Sequence, residues 1–266
     1  PSIDSPIYES KEVASSWLKG SDKVFGVIHN NEIKAYPQRI MNWHEIVNDT
    51  FGEDNVAVTF CPLCGTAVSF KAVVNGEPAE FGVSGKLYNS DLIMYDRIEG
   101  NYWQQASGEA IVGPAARRDE YLDMLSTTTT TWKQWASEYP DTLVLSRDTG
   151  YARDYDHYPY GSYEEEESLI FGVQNTDDEN RLHPKDVVYG ILVNGKAIAY
   201  ADEALPVGQR AHTYNETQLT ITKTEAGEVM FLNASTDEKI VPLRGFWFAW
   251  VAFNPDTALI SNAGDW

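Results

Sequence analysis

The chain is poor in cysteine. It has two in 266 residues, Cys61 and Cys64, which stand three positions apart. A zinc ribbon takes its four ligands from two turns that each contain a closely spaced cysteine pair. This chain has one such pair, so it does not fit that class unless histidine or carboxylate supplies the remaining ligands. Any special sulfur chemistry in this protein must therefore be centred on one turn.

Basic residues are also scarce, with 20 Lys and Arg against 40 Asp and Glu, which gives a net charge of −20. This charge repels nucleic acids and anionic membranes, so neither is expected as a partner. Cations are the natural partners, and we expect a metal ion or a small molecule. The acidic runs at 164–167 and 177–179 lack the alternating pattern of a calcium-binding loop and are interpreted as solvated loops.

Long apolar runs are missing as well. No stretch reaches the ~18 apolar residues of a membrane-spanning helix, and no leader-like segment opens the chain, so the start at Pro1 is interpreted as a mature or trimmed form. The excess of acid is typical of exported proteins and of high-salt environments. We therefore expect an extracytoplasmic protein (secreted, periplasmic or at the cell surface), while its oligomeric state stays open.

Short β-strands separated by turn residues dominate the pattern. Three segments are typical of hairpins: 73–77, 95–102 and 193–196. Capped helices are predicted over 10–18 and 131–139. The pattern indicates a mainly β protein of the α+β class, with hairpin-rich antiparallel sheets and a few short helices.

One segment resembles another within the chain. Residues 24–36 align without gaps on residues 188–200, each as strand, Asn-containing turn and strand, so an internal duplication is suspected. We expect a first β-rich half, 1–150, and a second, 151–266, packed as one unit. Residues 149–167 are long for an irregular connection and are interpreted as a boundary, a lid, or both. The second copy has no cysteine, so the cysteine pair is interpreted as a function added to the scaffold.

The cysteine turn itself reads Cys61-Pro62-Leu63-Cys64-Gly65 and follows the strand-like run 56–60. Such a turn aims both sulfurs at one point, so it can close a disulfide or hold a soft metal ion. Three interpretations stay open at this point: a structural disulfide, a mixed Cys/His metal site and a thiol-redox centre.

The positions of the histidines limit which residues can complete a metal site with the cysteines. His44 lies on a predicted helix that starts at Pro37 and ends at 48–49, where it shares an apolar stripe with Ile40 and Val47. A histidine on such a stripe points inward, either as a hydrogen-bonded core residue or as a metal ligand. His29 stands at a predicted hairpin tip and is expected to be solvated.

Several runs resemble the DUF3179 family, a domain of unknown function found in bacteria and archaea, often in exported or membrane-anchored proteins. The resemblance covers nearly the whole chain and is carried by residues 43–49, 61–66, 81–97, 102–105, 108–113, 132–140 and 246–250. It implies that His44, Cys61, Cys64 and the segment 89–97 belong to one family signature. It supplies no activity.

The segment 91–97 alternates as a strand, with Met94 on the same face as Leu92 and Asp96. If Met94 faces inward near the cysteine turn, its thioether completes a sulfur-rich set with two thiolates and an imidazole, and such a set prefers copper. The alternative is that Met94 only fills a gap in the core.

These patterns lead to one functional hypothesis and two alternatives. The hypothesis is an extracytoplasmic metal-binding protein whose centre comprises Cys61, Cys64 and His44, with Met94 nearby. We expect this centre to hold copper, which is favoured over zinc, or another thiophilic metal. Its use would be electron transfer, metal handling or an oxidative reaction. The alternatives are a metal-free thiol-disulfide redox protein and a binding or structural module with a Cys61–Cys64 disulfide clip. Whether the protein is an enzyme stays open.

Overall fold

The computed structural model describes residues 1–176, 179–262 and 264–265. It is 44% strand and 12% helix, which confirms the predicted mainly β class with few short helices. Part of the acidic run 177–179, at positions 177 and 178, lies outside the described residues.

The described strands, in chain order, are β1 (Tyr8–Ser10), β2 (Lys23–His29), β3 (Glu32–Pro37), β4 (Ile46–Phe51), β5 (Asp54–Cys61), β6 (Thr66–Lys71), β7 (Val73–Val74), β8 (Glu77–Pro78), β9 (Phe81–Tyr88), β10 (Asp91–Asp96), β11 (Tyr102–Gln104), β12 (Ala110–Val112), β13 (Met124–Leu125), β14 (Thr127–Thr131), β15 (Leu143–Leu145), β16 (Val187–Val193), β17 (Lys196–Ala201), β18 (Gly208–Tyr214), β19 (Thr217–Lys223), β20 (Val229–Asn233), β21 (Lys239–Ile240), β22 (Leu243–Phe246) and β23 (Ala258–Ile260). The described helices are α1 (Lys11–Ala14), α2 (Gln38–His44), α3 (Pro114–Arg117), α4 (Trp132–Glu138) and α5 (Trp247–Phe253), with a 3₁₀ turn at Asp202–Ala204.

The longer strands form five small sheets, in an arrangement like that of a five-bladed propeller. Their strand orders are β1-β15-β3-β2-β14 (sheet I), β13-β6-β5-β4 (sheet II), β12-β11-β10-β9 (sheet III), β22-β16-β17-β23 (sheet IV) and β18-β19-β20-β21 (sheet V). Strands β7 and β8 form a separate ribbon around the predicted Asn75-Gly76 turn. The predicted hairpins at 95–102 and 193–196 are present as β10–β11 and β16–β17.

Sheets I and IV contain the suspected duplication. In each, a central hairpin pairs in the same register, with Gly26 opposite Ala35 in sheet I and Gly190 opposite Ala199 in sheet IV. Each hairpin is flanked by an antiparallel strand that leads directly into a helix, β14 into α4 and β22 into α5. A parallel strand, β15 or β23, then returns on the other side. The repeat is therefore larger than the hairpin alone and includes a strand, a helix and a second strand.

A tryptophan from the helix packs on the hairpin glycine in the first copy. A Cβ atom added to Gly26 would lie 2.2 Å from ring carbons of Trp135, so only glycine allows this contact. The Trp135 indole N–H donates to Thr142 Oγ1 at 2.9 Å, which ties α4 to the strand that follows it.

The second copy of the repeat makes the same contacts with its own glycine, tryptophan and threonine. A Cβ atom at Gly190 would lie 2.2 Å from Trp250, and the Trp250 indole N–H donates to Thr257 Oγ1 at 2.9 Å. The same glycine, tryptophan and threonine contacts in both copies confirm the repeat as a physical unit. Each unit fixes a helix against its own sheet.

The prediction that the second helix ends at residues 48–49 is wrong. Helix α2 stops at His44, because Glu45 has a positive φ of 61° and Ile46 already begins β4. Val47 is buried, but it belongs to strand β4 and not to the helix. Helix α1 is likewise shorter than the predicted 10–18, while α4 agrees with its prediction, with Thr131 as N-cap.

The largest hydrophobic cluster joins sheets II and III with the start of α5. Both cysteines lie in it, together with Met94, Phe246 and Phe248. Residues from both halves of the chain thus share one core. Among the described residues, no helix combines the length and apolar character that crossing a membrane requires.

The glycine–tryptophan contact predicts a specific sensitivity. We expect Gly26→Ala and Gly190→Ala each to lower the free energy of unfolding by about 1–3 kcal/mol, because an added methyl group must displace a packed indole. Denaturant unfolding measures this. Gly172→Ala is the matched control, since a Cβ atom there meets no atom within 4 Å. Equal effects at all three positions would contradict the packing role.

Candidate metal centre

The cysteine turn connects two paired strands. Strand β5 ends at Cys61, which pairs with Thr66 at the start of β6. Gly65 has a positive φ of 63°, and a Cβ atom there would lie 2.8 Å from the Phe246 ring. The Phe246 N–H donates to the Cys64 carbonyl at 2.8 Å. The turn is thus shaped by its own glycine and held by the strand that leads into α5.

A second turn approaches the sulfurs from sheet III. Asn89 and Ser90 both have positive φ, 50° and 65°, and form the tight turn between β9 and β10. The Ser90 carbonyl accepts from the Cys64 thiol at 3.3 Å and lies 3.6 Å from the Cys61 sulfur. Asp91 follows as the first residue of β10 and lies beside the cysteine turn.

Three potential metal ligands meet at this point: Cys61, Cys64 and Asp91. One ligand atom from each lies within 4.8 Å of the other two, and all three residues are buried, with exposed fractions of 2%, 1% and 0%. Ligand atoms around one tetrahedral ion are about 3–4 Å apart, as follows from metal–ligand bonds of about 2.0–2.3 Å. The cluster is therefore close to the size that a single ion requires. The two cysteines are free thiols in this structure.

The carboxylate of Asp91 is only partly satisfied. Its Oδ2 accepts from the Ala106 N–H at 3.0 Å, and the Cys64 thiol and the Leu92 and Gln105 N–H groups also interact with the carboxylate, whereas Oδ1 makes no well-aligned hydrogen bond in the described part of the chain. Complete burial raises the pKa of Asp91 to about 7. A buried carboxylate is stable only with a proton, hydrogen-bond donors or a cation, so Oδ1 is the atom at which an additional cation could bind.

The Cys64 thiol is not poised as a nucleophile. Burial raises the pKa of Cys64 well above its usual value, and the neighbouring Cys61 and Asp91 raise it further. Reactive cysteines have lowered pKa values and lie in partly exposed, positively charged surroundings. A bound cation would reverse the situation, because it stabilises the thiolate and the carboxylate together.

A buried glutamine supports both turns. The Gln105 side chain donates to Thr59 Oγ1 and accepts from Thr66 Oγ1, each at 2.8 Å, while its backbone N–H donates to the Leu92 carbonyl at 3.0 Å. Gln105 therefore links sheet II to β10 and places the next amide, that of Ala106, against Asp91. Such outer contacts hold ligands in position.

Irregular segments at residues 146–176 and 179–186 lie between β15 and β16, and side chains of the first pack against the cluster. The Tyr163 hydroxyl donates to the Leu63 carbonyl at 3.1 Å, inside the cysteine turn. Lys185 Nζ lies 3.9 Å from the centre of the Tyr163 ring and donates to the carbonyls of Ser168, at 2.7 Å, and Glu166. Burial also raises the pKa of Tyr160 to about 12. Tyr163 lies within residues 149–167, so the segment interpreted as a boundary or a lid contacts the cysteine turn directly.

The structure does not group His44 with the cysteines. His44 is fully buried, as predicted, but its ring nitrogens contact the Pro1 carbonyl at 2.9 Å and the Tyr155 hydroxyl at 2.7 Å. Burial lowers the pKa of His44 and so favours the neutral imidazole. Its contacts are those of a hydrogen-bonded core histidine, and its role as a ligand remains a prediction. His29, expected at a solvated hairpin tip, instead contacts Asp54 at 2.6 Å.

Met94 lies in the same hydrophobic cluster as both cysteines and is fully buried. It pairs with Val83 and Trp103, and a bulge between Ile93 and Met94 interrupts the strand register. Its proposed role as a ligand also remains a prediction. Sequence reasoning missed Asp91, although the Asn-Ser turn before a carboxylate, within the family-like segment 89–97, was an available signal.

The fold and the cluster define a class: a β-rich protein with an internal repeat and a buried dithiol–carboxylate group. Comparison with known families places the chain more narrowly. It belongs to the family described as "Protein of unknown function (DUF3179)", whose model matches residues 1–244. Neither a curated protein nor a solved structure matches it.

The burial of both cysteines beside Tyr163 predicts slow thiol chemistry. We expect both native thiols to react slowly with a bulky disulfide reagent, and Tyr163→Ala to speed the reaction by at least about tenfold by opening the cover. Phe171→Ala is the control, since Phe171 belongs to the same segment but is 50% exposed. Fast reaction of the unaltered protein would contradict the burial.

Asp91 predicts a pH dependence of the metal-free protein. Its pKa rises from 3.8 to about 7 on folding. The folded chain therefore holds this proton more tightly, and the contribution to stability is lost as pH rises from about 4 to 7. We expect Asp91→Asn to remove this loss and to be more stable than the unaltered chain by on the order of 4 kcal/mol at about pH 8. Denaturant unfolding at about pH 5 and pH 8 measures it. Parallel pH profiles would contradict the assignment.

Proposed function

We propose that this protein binds one thiophilic metal ion through the thiolates of Cys61 and Cys64 and the carboxylate of Asp91. The observation that carries the proposal is the buried Asp91 oxygen that makes no well-aligned hydrogen bond among the described residues, beside two free thiols. A cation satisfies all three groups at once, whereas an apolar core would gain nothing from placing them together.

Proton balance gives the proposal a measurable signature. The ion displaces the proton of each thiol and, below about pH 7, that of Asp91 as well. Metal affinity should therefore rise with pH. Competition with protons is expected to be strong because burial favours the neutral form of Cys64.

The donor set bears on the choice of metal. The preference for copper over zinc depended on the imidazole of His44 and the thioether of Met94. Two thiolates and a carboxylate are also ordinary ligands of Zn²⁺. We therefore propose a thiophilic ion, copper or zinc, and leave the choice to elemental analysis.

The burial of the site favours a role in metal handling or electron transfer over one in hydrolysis. Hydrolytic metal sites keep an open position for water, whereas here Tyr163 and the surrounding cluster cover the turn. Metal handling or electron transfer fits a covered centre better than hydrolysis. We further propose that it acts outside the cytoplasm, in keeping with the acid-rich composition.

The second candidate is a metal-free dithiol that cycles with a disulfide. Asp91 can accept the proton of an attacking thiol, which favours this role. However, thiol exchange requires an incoming sulfur to reach the pair, and the cysteines are 2% and 1% exposed. The metal proposal is therefore preferred.

Elemental analysis of protein purified without chelator tests the proposal, together with a thiol count after unfolding. We expect about one equivalent of metal per chain, loss of metal in Cys61→Ser/Cys64→Ser, and at least about tenfold weaker binding in Asp91→Asn. Asp119→Asn is the control, because this exposed carboxylate makes no ion pair among the described residues. His44→Gln and Met94→Leu should keep the metal if Asp91 is the third ligand.

Two results would overturn the proposal. Metal-free protein with a Cys61–Cys64 disulfide would make the pair a structural clip. Metal-free protein with two free thiols that cycle with an oxidant would establish the dithiol function instead.

A further inference from the structure

A separate cavity lies where sheets I, IV and V meet. It has a volume of about 270 Å³, and its lining includes Lys23, Thr129, Tyr189, Asp202, Lys223 and Arg244. Basic side chains are gathered here although the whole chain carries a net charge of −20. A local excess of positive charge on such an acidic protein indicates a specific role.

Arg244 is the basic side chain at this cavity that lacks an acidic partner among the described residues. Its Nε is buried and has no hydrogen-bond partner in the described residues, whereas its Nη1 donates to the Gly65 carbonyl at 3.4 Å and the guanidinium also hydrogen-bonds to the Tyr189 side chain. Within the same residues the guanidinium forms no ion pair. A partly buried guanidinium without an anion is unfavourable unless a ligand supplies the charge.

The other charges at the cavity are already balanced. Lys223 Nζ lies 2.8 Å from Asp202 Oδ1, and Lys23 Nζ lies 2.9 Å from Glu164 Oε2. The pKa of Tyr189 is raised to about 12, mainly by burial, and its hydroxyl is close to both Arg244 and Asp202. The unbalanced positive charge is therefore that of Arg244.

Thr129 adds a second unsatisfied atom to the same cavity. Its Oγ1 is buried without a hydrogen-bond partner among the described residues. Thr129 and Arg244 occupy equivalent positions of the repeat, since Thr129 pairs with Phe25 in sheet I and Arg244 pairs with Tyr189 in sheet IV. Each copy thus places one side chain with an unsatisfied polar atom at a shared cavity.

We infer that this cavity binds a small, multiply charged oxyanion, phosphate or sulfate, either free or as a group on a small molecule. The guanidinium supplies parallel N–H donors that match the oxygens of such an anion, and the Thr129 hydroxyl supplies a further donor. Lys223 also lines the cavity and adds to its positive electrostatic potential. The inference is independent of the metal centre.

Isothermal titration calorimetry of the full chain with sodium phosphate and with sodium sulfate tests the inference. Sodium chloride at equal ionic strength is the reference, because simple screening acts alike in all three salts. We expect one oxyanion per chain, and binding at least about tenfold weaker in Arg244→Gln and measurably weaker in Thr129→Val. Tighter binding of phosphate or of sulfate identifies which anion the site prefers.

Arg210→Gln is the matched control, since it removes the same charge from an exposed strand residue. It should bind like the unaltered chain, and so should Cys61→Ser/Cys64→Ser, which separates this site from the metal centre. If Arg244→Gln does not fold, Arg244→Lys and Thr129→Val provide the comparison. Equal heats from chloride, or unchanged binding in Arg244→Gln or in both substitute variants, would overturn the inference.

Discussion

The close packing of a tryptophan on a glycine backbone, made once in each copy of the repeat, is the contact on which the architecture depends. It fixes α5 against sheet IV, and the residue just before α5 is Phe246. Phe246 in turn contacts Gly65 and holds the Cys64 carbonyl. The second copy, although it has no cysteine, therefore helps to shape the cysteine turn of the first half. Scaffold and site are physically connected through one strand end.

Burial gives the candidate centre its chemistry. In water, two thiols and a carboxylate would have ordinary pKa values and no preference for one another. Inside the shared cluster, desolvation raises the pKa of Asp91 and of Cys64, so the group holds protons in the absence of a cation. The same desolvation strengthens its attraction for a metal ion. Tyr163 and Lys185 help to maintain this condition, because Tyr163 contacts the turn and Lys185 lies against Tyr163.

Part of the site could be read from the residues, and part could not. The Cys-Pro-x-Cys-Gly spacing and the strand before it locate the sulfurs at the end of a hairpin, because these are local properties of the chain. The third group was assigned to His44 by the helical period through Val47. The helix actually ends at His44, where Glu45 adopts a positive φ, and a local pattern cannot reveal that the imidazole contacts Pro1 and Tyr155.

The sequence alone determined the class of fold, the hairpins at Asn-Gly turns, the first sign of a repeat and the position of the thiol pair. Each of these follows from side-chain period, turn preference or spacing along the chain. The tertiary structure decided that Asp91 stands beside the thiols, that Tyr163 contacts the cysteine turn, and that Thr129 and Arg244 meet at one cavity. These outcomes depend on how separate sheets pack, and contacts between distant strands have no local signature in the chain.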